Sequence, residues 1–293
     1  MAVQDGLQSV VASIDAVRRS VAQARLENAV VGLVPTMGAL HRGHEELIAR
    51  ARSQCDFVAV SIFVNPLQFG PREDFASYPR TLAEDAAICS KHNVDLIFAP
   101  EVGELYGDSR ESTRVIPAAA LTNRLCGTFR PGHFEGVATV VAKLFNIVGP
   151  DRAYFGLKDY QQLQVIRHLV QDLDFPIEII GVPTVREESG LALSSRNKYL
   201  NSEQKELAPA LSQTLQALAR RVHEEEDVSA ILASEKAKLE SAGFRVQYLE
   251  LCHPDSLEPL VSFSGEAVAL VAAYLGDVRL IDNLEIDSLK VNR

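Results

Sequence analysis

The sequence predicts an α/β fold, a parallel β-sheet with helices on both faces, joined to a smaller α+β domain at the C-terminal end. Three observations predict it. Between residues 29 and 183, short apolar runs rich in Val and Ile alternate with stretches of helical length. Helical crossovers between parallel strands impose that order. Beyond residue 184, two helix-length stretches precede three strand-like runs with no alternation, which is the order of an α+β unit. Finally, 47% of the 293 residues are hydrophobic, enough to build one large or two moderate cores.

In chain order, "AVVGLV" (29–34) is short, apolar and Val-rich, and so is a buried strand. A helix follows over 43–54. "DFVAVSIFV" (56–64) is the second strand, "TLAEDAAICSKHN" (81–93) a helix, and "VDLIFAP" (94–100) a strand stopped by proline. Apolar residues at 137, 140, 141, 144, 145 and 148 have helical spacing, which predicts a helix over 134–149. "RAYFG" (152–156) is a strand, 160–173 a helix and 177–183 a strand. The loop 184–197 joins the two parts and is placed to line a cleft. Residues 202–226 and 228–243 read as two helices, and "FRVQYLELC", "EAVALVAAYL" and "VRLIDNLEI" as three strands.

Composition excludes several classes. The formal net charge is -10 and no long Lys/Arg run is present, so a nucleic-acid surface is not expected. The longest apolar run, 267–275, is too short to span a bilayer. The first twenty residues lack the apolar core of a secretory signal. Cys55, Cys89, Cys126 and Cys252 are dispersed and form no C-x-x-C pair, which argues for packing thiols over a zinc or disulfide framework. The acidic stretch 224–227 is read as solvated surface.

Four motifs sit where strands end, the places at which open parallel sheets bind ligands. In "PTMGALHRGHEELI" (35–48), Gly38 and Gly43 permit close backbone approach, and a helix start offers N–H groups and a positive dipole to an anion. His41 and His44, three apart, share a helix face. They can cap and pack, or reach one phosphate; a zinc site lacks a nearby third ligand. "FVNPLQF" (63–69) places the neutral amides Asn65 and Gln68 after the second strand, as a simple Asn-Pro turn or as hydrogen-bond donors to a substrate. "FGLKDYQQ" (155–162) brings Gly156, Lys158, Asp159 and Gln162 to the next strand end. There, Asp159 is either a helix cap or a hydroxyl ligand. "SGLALSSRN" (189–197) offers Ser194, Ser195 and the forked guanidinium of Arg196, which suit phosphate oxygens. "FRPGHFEG" (129–136) adds Arg130 and His133. Neither G-x-x-x-x-G-K-[ST] nor G-x-G-x-x-G occurs.

Together, "PTMGALHRGH", "FVNPLQF", "RPGHFEGVATVVAKLFNIVGPDRAYFGLKDYQQ" and "SGLALSSRN" closely resemble the pantoate–β-alanine ligase (pantothenate synthetase) family. They occur in order, at family spacing, across nearly the whole chain. The H-x-G-H motif that this family shares with class I aminoacyl-tRNA synthetases reads His41-Arg42-Gly43-His44. The resemblance implies a Rossmann-like nucleotide- and pantoate-binding domain over 1–183 and an α+β domain over 184–293 that closes over the ATP site. It also implies a cytoplasmic homodimer that uses ATP with Mg²⁺, condenses pantoate with β-alanine through a pantoyl adenylate, and binds neither nucleic acid nor membrane. Another nucleotidyltransferase of the same superfamily, or a catalytically silent binding relative, is the competing reading.

Carried over by position, His44, His41 and Lys158 would be catalytic, with His44 the proton donor. Met37, Gly38, His41, Gly43, His44, Gly156, Lys158, Asp159, Val185, Leu193, Ser194, Ser195 and Arg196 would bind ATP. Gln68 and Gln162 would hold pantoate and β-alanine, and Asp85 would help hold Mg²⁺. The segment 69–80 is expected to be a mobile cover that shields the adenylate from water. Two positions depart from the family pattern: Ser189 stands where Asp is usual, and Leu193 where Met is usual.

Overall fold

The computed structural model describes residues 9–71, 73–107, 112–224 and 227–287. A six-stranded, wholly parallel sheet forms the larger part of the molecule. In chain order its elements are β1 (Ser9–Val11), α1 (Ile14–Leu26), β2 (Val31–Thr36), α2 (Arg42–Gln54), β3 (Phe57–Ile62), α3 (Leu82–Lys91) and β4 (Leu96–Phe98). There follow the short helices α4 (Val102–Tyr106), α5 (Ala119–Thr122) and α6 (Cys126–Phe129), then α7 (His133–Val148), β5 (Arg152–Gly156), α8 (Tyr160–Asp172) and β6 (Glu178–Val182). The strand order β1-β4-β3-β2-β5-β6 reverses direction at β2. The crevice between the carboxyl ends of β2 and β5 is therefore the topological switch point, where such sheets bind ligands.

Both faces of the sheet are covered, which is why its strands read as unbroken apolar runs rather than alternating ones. Val17 and Val21 of α1, Val141 and Phe145 of α7, and Leu163 and Ile166 of α8 pack one face. Leu47, Ile48 and Ala51 of α2, with Cys89 of α3, pack the other. Helix α7 lies between Gly132 and Gly149, both in the left-handed region, and nearly all its residues are buried.

The smaller part carries α9 (Ser202–Leu207), α10 (Ala210–His223), α11 (Val228–Ser241) and an antiparallel meander of β7 (Phe244–Cys252), β8 (Glu266–Leu275) and β9 (Val278–Asp287). Strand β8 is buried on both sides. Ala267, Ala269, Val271 and Ala273 face the cluster built with α10 and α11. Val268, Leu270 and Ala272 face a cluster shared with Leu121, Phe134 and Tyr160 of the larger part. The period-2 alternation of a strand thus puts one β-sheet between two cores and fastens the two parts together.

Two expectations need correction. The helix expected over 202–226 is two helices, because Pro209 has no N–H to continue the ladder; α9 ends at Leu207 and α10 restarts at Ala210. Residues 225 and 226 of the acidic stretch lie outside the described residues. The N-terminal strand β1 and helix α1 were not anticipated, although Ser13 caps α1 by accepting the Ala16 N–H at 3.3 Å. The pattern of Val17, Val21 and Ala24 along α1 supplies its buried stripe.

Candidate active site

The histidine loop is built from beneath. Between β2 and α2 the chain turns through Gly38 at φ +81 and Ala39 at φ 51. A Cβ on Gly38 would come within 2.9 Å of Asp85 Oδ2, so glycine is needed there for both conformation and space. Asp85, on α3 and almost fully buried, accepts the N–H groups of Ala39 (3.0 Å) and Leu40 (2.7 Å) and the Thr81 hydroxyl (3.3 Å). Its carboxylate is committed to holding the loop, which corrects its expected role as a Mg²⁺ ligand. Among the described residues, no group of three or more His, Cys, Asp or Glu could hold a metal. Gly38 likewise shapes the turn without lining the cleft.

His41 is the N-cap of α2. Its Nδ1 accepts the Gly43 N–H at 3.1 Å, and His44 Nδ1 accepts the His41 N–H at 3.3 Å. The ring centroids lie 4.2 Å apart. A ring nitrogen that accepts a hydrogen bond has no proton of its own, so both neutral imidazoles carry theirs on Nε2. Capping and ligand binding, alternatives in the sequence, are thus compatible: one nitrogen of each ring caps, and the other is left to donate. Burial first, then Lys158, lowers the His41 pKa to about 4. Burial first, then His41, lowers that of His44 to about 3. At neutral pH His44 is therefore an N–H donor and not an imidazolium.

The opposite wall begins where β5 runs into a 3₁₀ turn, Leu157–Asp159, and then α8. Gly156, Lys158, Asp159 and Gln162 line the same cleft as Met37, His41, Gly43 and His44. Asn283 of β9 donates to the carbonyls of Leu157 and Lys158, both at 2.9 Å, so the C-terminal sheet steadies the lysine turn. Asp159 makes no side-chain cap, which removes the capping reading. Burial raises its pKa, but Lys158, Arg196, His133 and Arg130 together outweigh burial and hold the carboxyl below its usual range.

Val185, Leu193, Ser194, Ser195 and Arg196 complete the rim. Leu193 N–H donates to Val185 O at 2.9 Å, and Ser194 Oγ accepts the Arg196 N–H at 3.2 Å. Arg186 forks onto Asp282 of β9 at 2.6 and 2.9 Å, which anchors this loop to the C-terminal sheet. Ser189 Oγ accepts the Leu191 N–H at 3.4 Å, so this residue keeps the acceptor that an aspartate would supply.

Gln68 also lines the cleft. Asn65 holds it: Asn65 Nδ2 donates to Gln68 Oε1 (3.1 Å) and Gly136 O (3.0 Å), while Asn65 Oδ1 accepts from Leu67 N and Tyr106 Oη. Both amides line the cleft, and Gln68 Nε2 also donates to Met37 Sδ at 2.9 Å. His133 Nδ1–H donates to the Gln68 carbonyl at 2.8 Å, and its Nε2 accepts from Arg130 at 2.9 Å. The segment expected to be a mobile cover meets the site through ion pairs: Glu73 takes Arg130 through two bonds of 2.7 Å, and Asp74 takes Arg196 at 2.9 Å. Arg72 of this segment lies outside the described residues. Tyr78, Glu73 and Asp74 were missed as site residues, because nothing in "PREDFASYPR" shows which acid meets which base.

Three histidines here are neutral in the folded chain. Burial, then Arg130, lowers His133 to about 3. An unfolded histidine titrates near 6.5. As pH falls from about 6.5 towards 4, the unfolded chain takes up protons that folded His41, His44 and His133 refuse. Stability should therefore fall through that window by up to about 1.4 kcal/mol per pH unit for each histidine. Urea melts of His133→Gln and the parent at pH 7, 6 and 5 check this. The variant's slope should be shallower by about one proton, whatever constant offset it carries.

Comparison with known proteins identifies the same relationship. Residues 9–285 match the family model of pantoate-beta-alanine ligase. A pantothenate synthetase of Pseudomonas savastanoi pv. phaseolicola is 51% identical over 279 residues, covering 95% of this chain and 99% of that one. One from Pseudomonas putida is 53% identical over 277 residues, with 94% and 96% covered. A pantothenate synthetase structure from Thermus thermophilus superposes with a TM-score of 0.88 at 48% identity, covering 95% and 99%. The pantoate-beta-alanine ligase of Francisella tularensis, complexed with Beta-gamma ATP and β-alanine, gives 0.80 at 37%, covering 95% and 97%. The chain belongs to the pantoate–β-alanine ligase family.

Proposed function

We propose that this enzyme condenses pantoate with β-alanine, with cleavage of ATP to AMP and pyrophosphate, by way of a pantoyl adenylate. The observation that carries the reading is the pair of Nε2–H donors at the start of α2, placed in one cleft with Lys158, Ser194, Ser195 and Arg196. In the first step a pantoate carboxylate oxygen attacks the α-phosphorus, and pyrophosphate leaves. His41 and His44 donate to the charge that grows on the phosphoryl oxygens; fixed donors in a water-poor site stabilise that charge best. Lys158 and Arg196 neutralise the triphosphate.

Gln68 and Gln162 hold pantoate through neutral amides. A tight arginine pair would bind the carboxylate more strongly but quench the nucleophile, favouring ground state over transition state. In the second step the β-alanine amine attacks the acyl carbon, and AMP departs. Mg²⁺ arrives on ATP. Residues 184–293 close over the nucleotide, and the enzyme works as a cytoplasmic homodimer; both statements rest on family resemblance.

The test is conversion of ATP to AMP, measured with each substrate withheld in turn. Turnover should require both pantoate and β-alanine. AMP formation that ignores β-alanine, or its absence altogether, rejects this reading in favour of a different nucleotidyltransferase or a silent relative.

A further inference from the structure

Gln68 hangs from a chain of hydrogen bonds that leads out of the cleft. Its Oε1 accepts from Asn65 Nδ2 at 3.1 Å, and Asn65 Oδ1 in turn accepts the Tyr106 hydroxyl at 2.9 Å. Gln68 and Asn65 line the cleft; Tyr106, the last residue of α4, does not. The Tyr106 ring is held between two neighbours. Its centroid lies 6.1 Å from that of Phe63 and 5.9 Å from Lys143 Nζ of α7.

The direction of every bond in this chain is determined. The Leu67 N–H can only donate, and it donates to Asn65 Oδ1 at 3.2 Å. The Gly136 carbonyl can only accept, and it accepts from Asn65 Nδ2 at 3.0 Å. The two ends of the Asn65 amide are thereby told apart by backbone groups that cannot exchange roles. The Gln68 atom that faces Asn65 Nδ2 must then be its oxygen, so Nε2 points the other way. There it meets Met37 Sδ at 2.9 Å, a weak acceptor that a ligand oxygen can displace. Asn65 Oδ1 has two lone pairs; Leu67 takes one, and the Tyr106 hydroxyl takes the other as a donor. Burial raises the Tyr106 pKa, so the hydroxyl keeps the proton that it donates.

We propose that Tyr106 is a positioning residue for the reaction: through Asn65 it holds the Gln68 amide with its N–H groups towards pantoate, so that the substrate atom met there is an oxygen acceptor. The inference rests on the ligase reading. A glutamine amide turns over about its last torsion at little cost, because that torsion is broad and two-fold. Turned over, Gln68 would set its own oxygen against an oxygen of pantoate. Two anchors oppose this. His133 holds the Gln68 backbone carbonyl at 2.8 Å, and the Tyr106–Asn65 pair holds the amide. Tyr106 touches neither substrate nor reacting atoms, and all its influence passes through Asn65.

A double-mutant cycle tests the assignment. Pantoate-dependent exchange of labelled pyrophosphate into ATP responds to slow turnover and needs no β-alanine, so it reads the KM for pantoate in all four forms. Tyr106→Phe keeps the ring and removes only the donor. It should raise the KM for pantoate about 2- to 10-fold, the contribution of one hydrogen bond, and leave the KM for ATP as in the parent. In an Asn65→Ala background the same change should have no further effect on pantoate, because the link it acts through is gone. An unchanged KM for pantoate in Tyr106→Phe, an equal rise for ATP, or penalties that simply add in the double variant would overturn the proposal. Absence of exchange in the parent enzyme would instead refute the ligase reading itself.

Discussion

Replacing His44 by Asn should cut kcat by about 10²- to 10³-fold and leave the fold intact. The two nitrogens of His44 do separate work. Nδ1 accepts the His41 N–H within the capping box at the start of α2, and Nε2 is left to donate into the cleft. An Asn side chain places its oxygen near the Nδ1 position, so the cap survives, but it has nothing at the Nε2 position. Loss of one fixed donor to a developing anion costs about 10²–10³ in kcat, whereas loss of a cap costs only about 1 kcal/mol. His44→Gln can extend an amide N–H towards the Nε2 position and should keep more activity than His44→Asn. The check is kcat for both variants beside thermal melting. A kcat within threefold of the parent would sink the assigned role, and so would a loss of Tm large enough to explain the kinetics by unfolding.

This division of labour shows what the sequence could and could not reveal. The motif at 35–48 displayed two histidines and a helix start, but capping and phosphate binding stood as rivals. Only the Nδ1 contacts show that one ring does both. The strand–helix alternation was legible because a buried parallel sheet needs continuous apolar runs, as in β2 and β3. It missed β1, a three-residue strand at the sheet edge, with α1 after it, and it failed at Pro209, where a helical pattern outlasts the ladder that backbone chemistry permits.

The cleft residues that sequence reasoning reached sit at strand ends, positions that the topology fixes. Those it missed, Glu73 and Asp74, depend on contacts spanning 57 and 122 residues. No local pattern encodes such pairings. Asp85 shows the reverse error. An acidic residue near an ATP motif suggests a metal, yet its three donors place it under the loop. The lesson is physical: a buried carboxylate whose two oxygens already accept three N–H and O–H donors is occupied in holding the backbone.

The second large effect is expected at a residue that touches no substrate. Gly136→Ala should destabilise the protein by about 3 kcal/mol or more and raise the KM for pantoate. In the interior of an exposed helix the same change would stabilise by about 1 kcal/mol, so the sign of the outcome decides the argument. Gly136 lies in the first turns of α7, where the helix crosses the 3₁₀ turn Pro66–Gln68. A Cβ there would lie 2.3 Å from Leu67 O, 2.4 Å from Leu67 C and 2.6 Å from Gln68 N. All three are backbone atoms, so no rotamer change relieves the clash; the helix and the turn must separate. Overpacking of this kind typically costs about 1–3 kcal/mol even where side chains can yield. Separation would also break the bonds from Asn65 Nδ2 to Gly136 O and from His133 to the Gln68 carbonyl, which together aim the Gln68 amide. Denaturant melts should therefore show the loss of stability. At a temperature where the variant is folded, pantoate KM should rise more than ATP KM, because the histidine loop rests on Asp85 and α3 and not on α7. A stabilised variant, or equal losses for both substrates, would show that the turn and the helix do not set the position of Gln68.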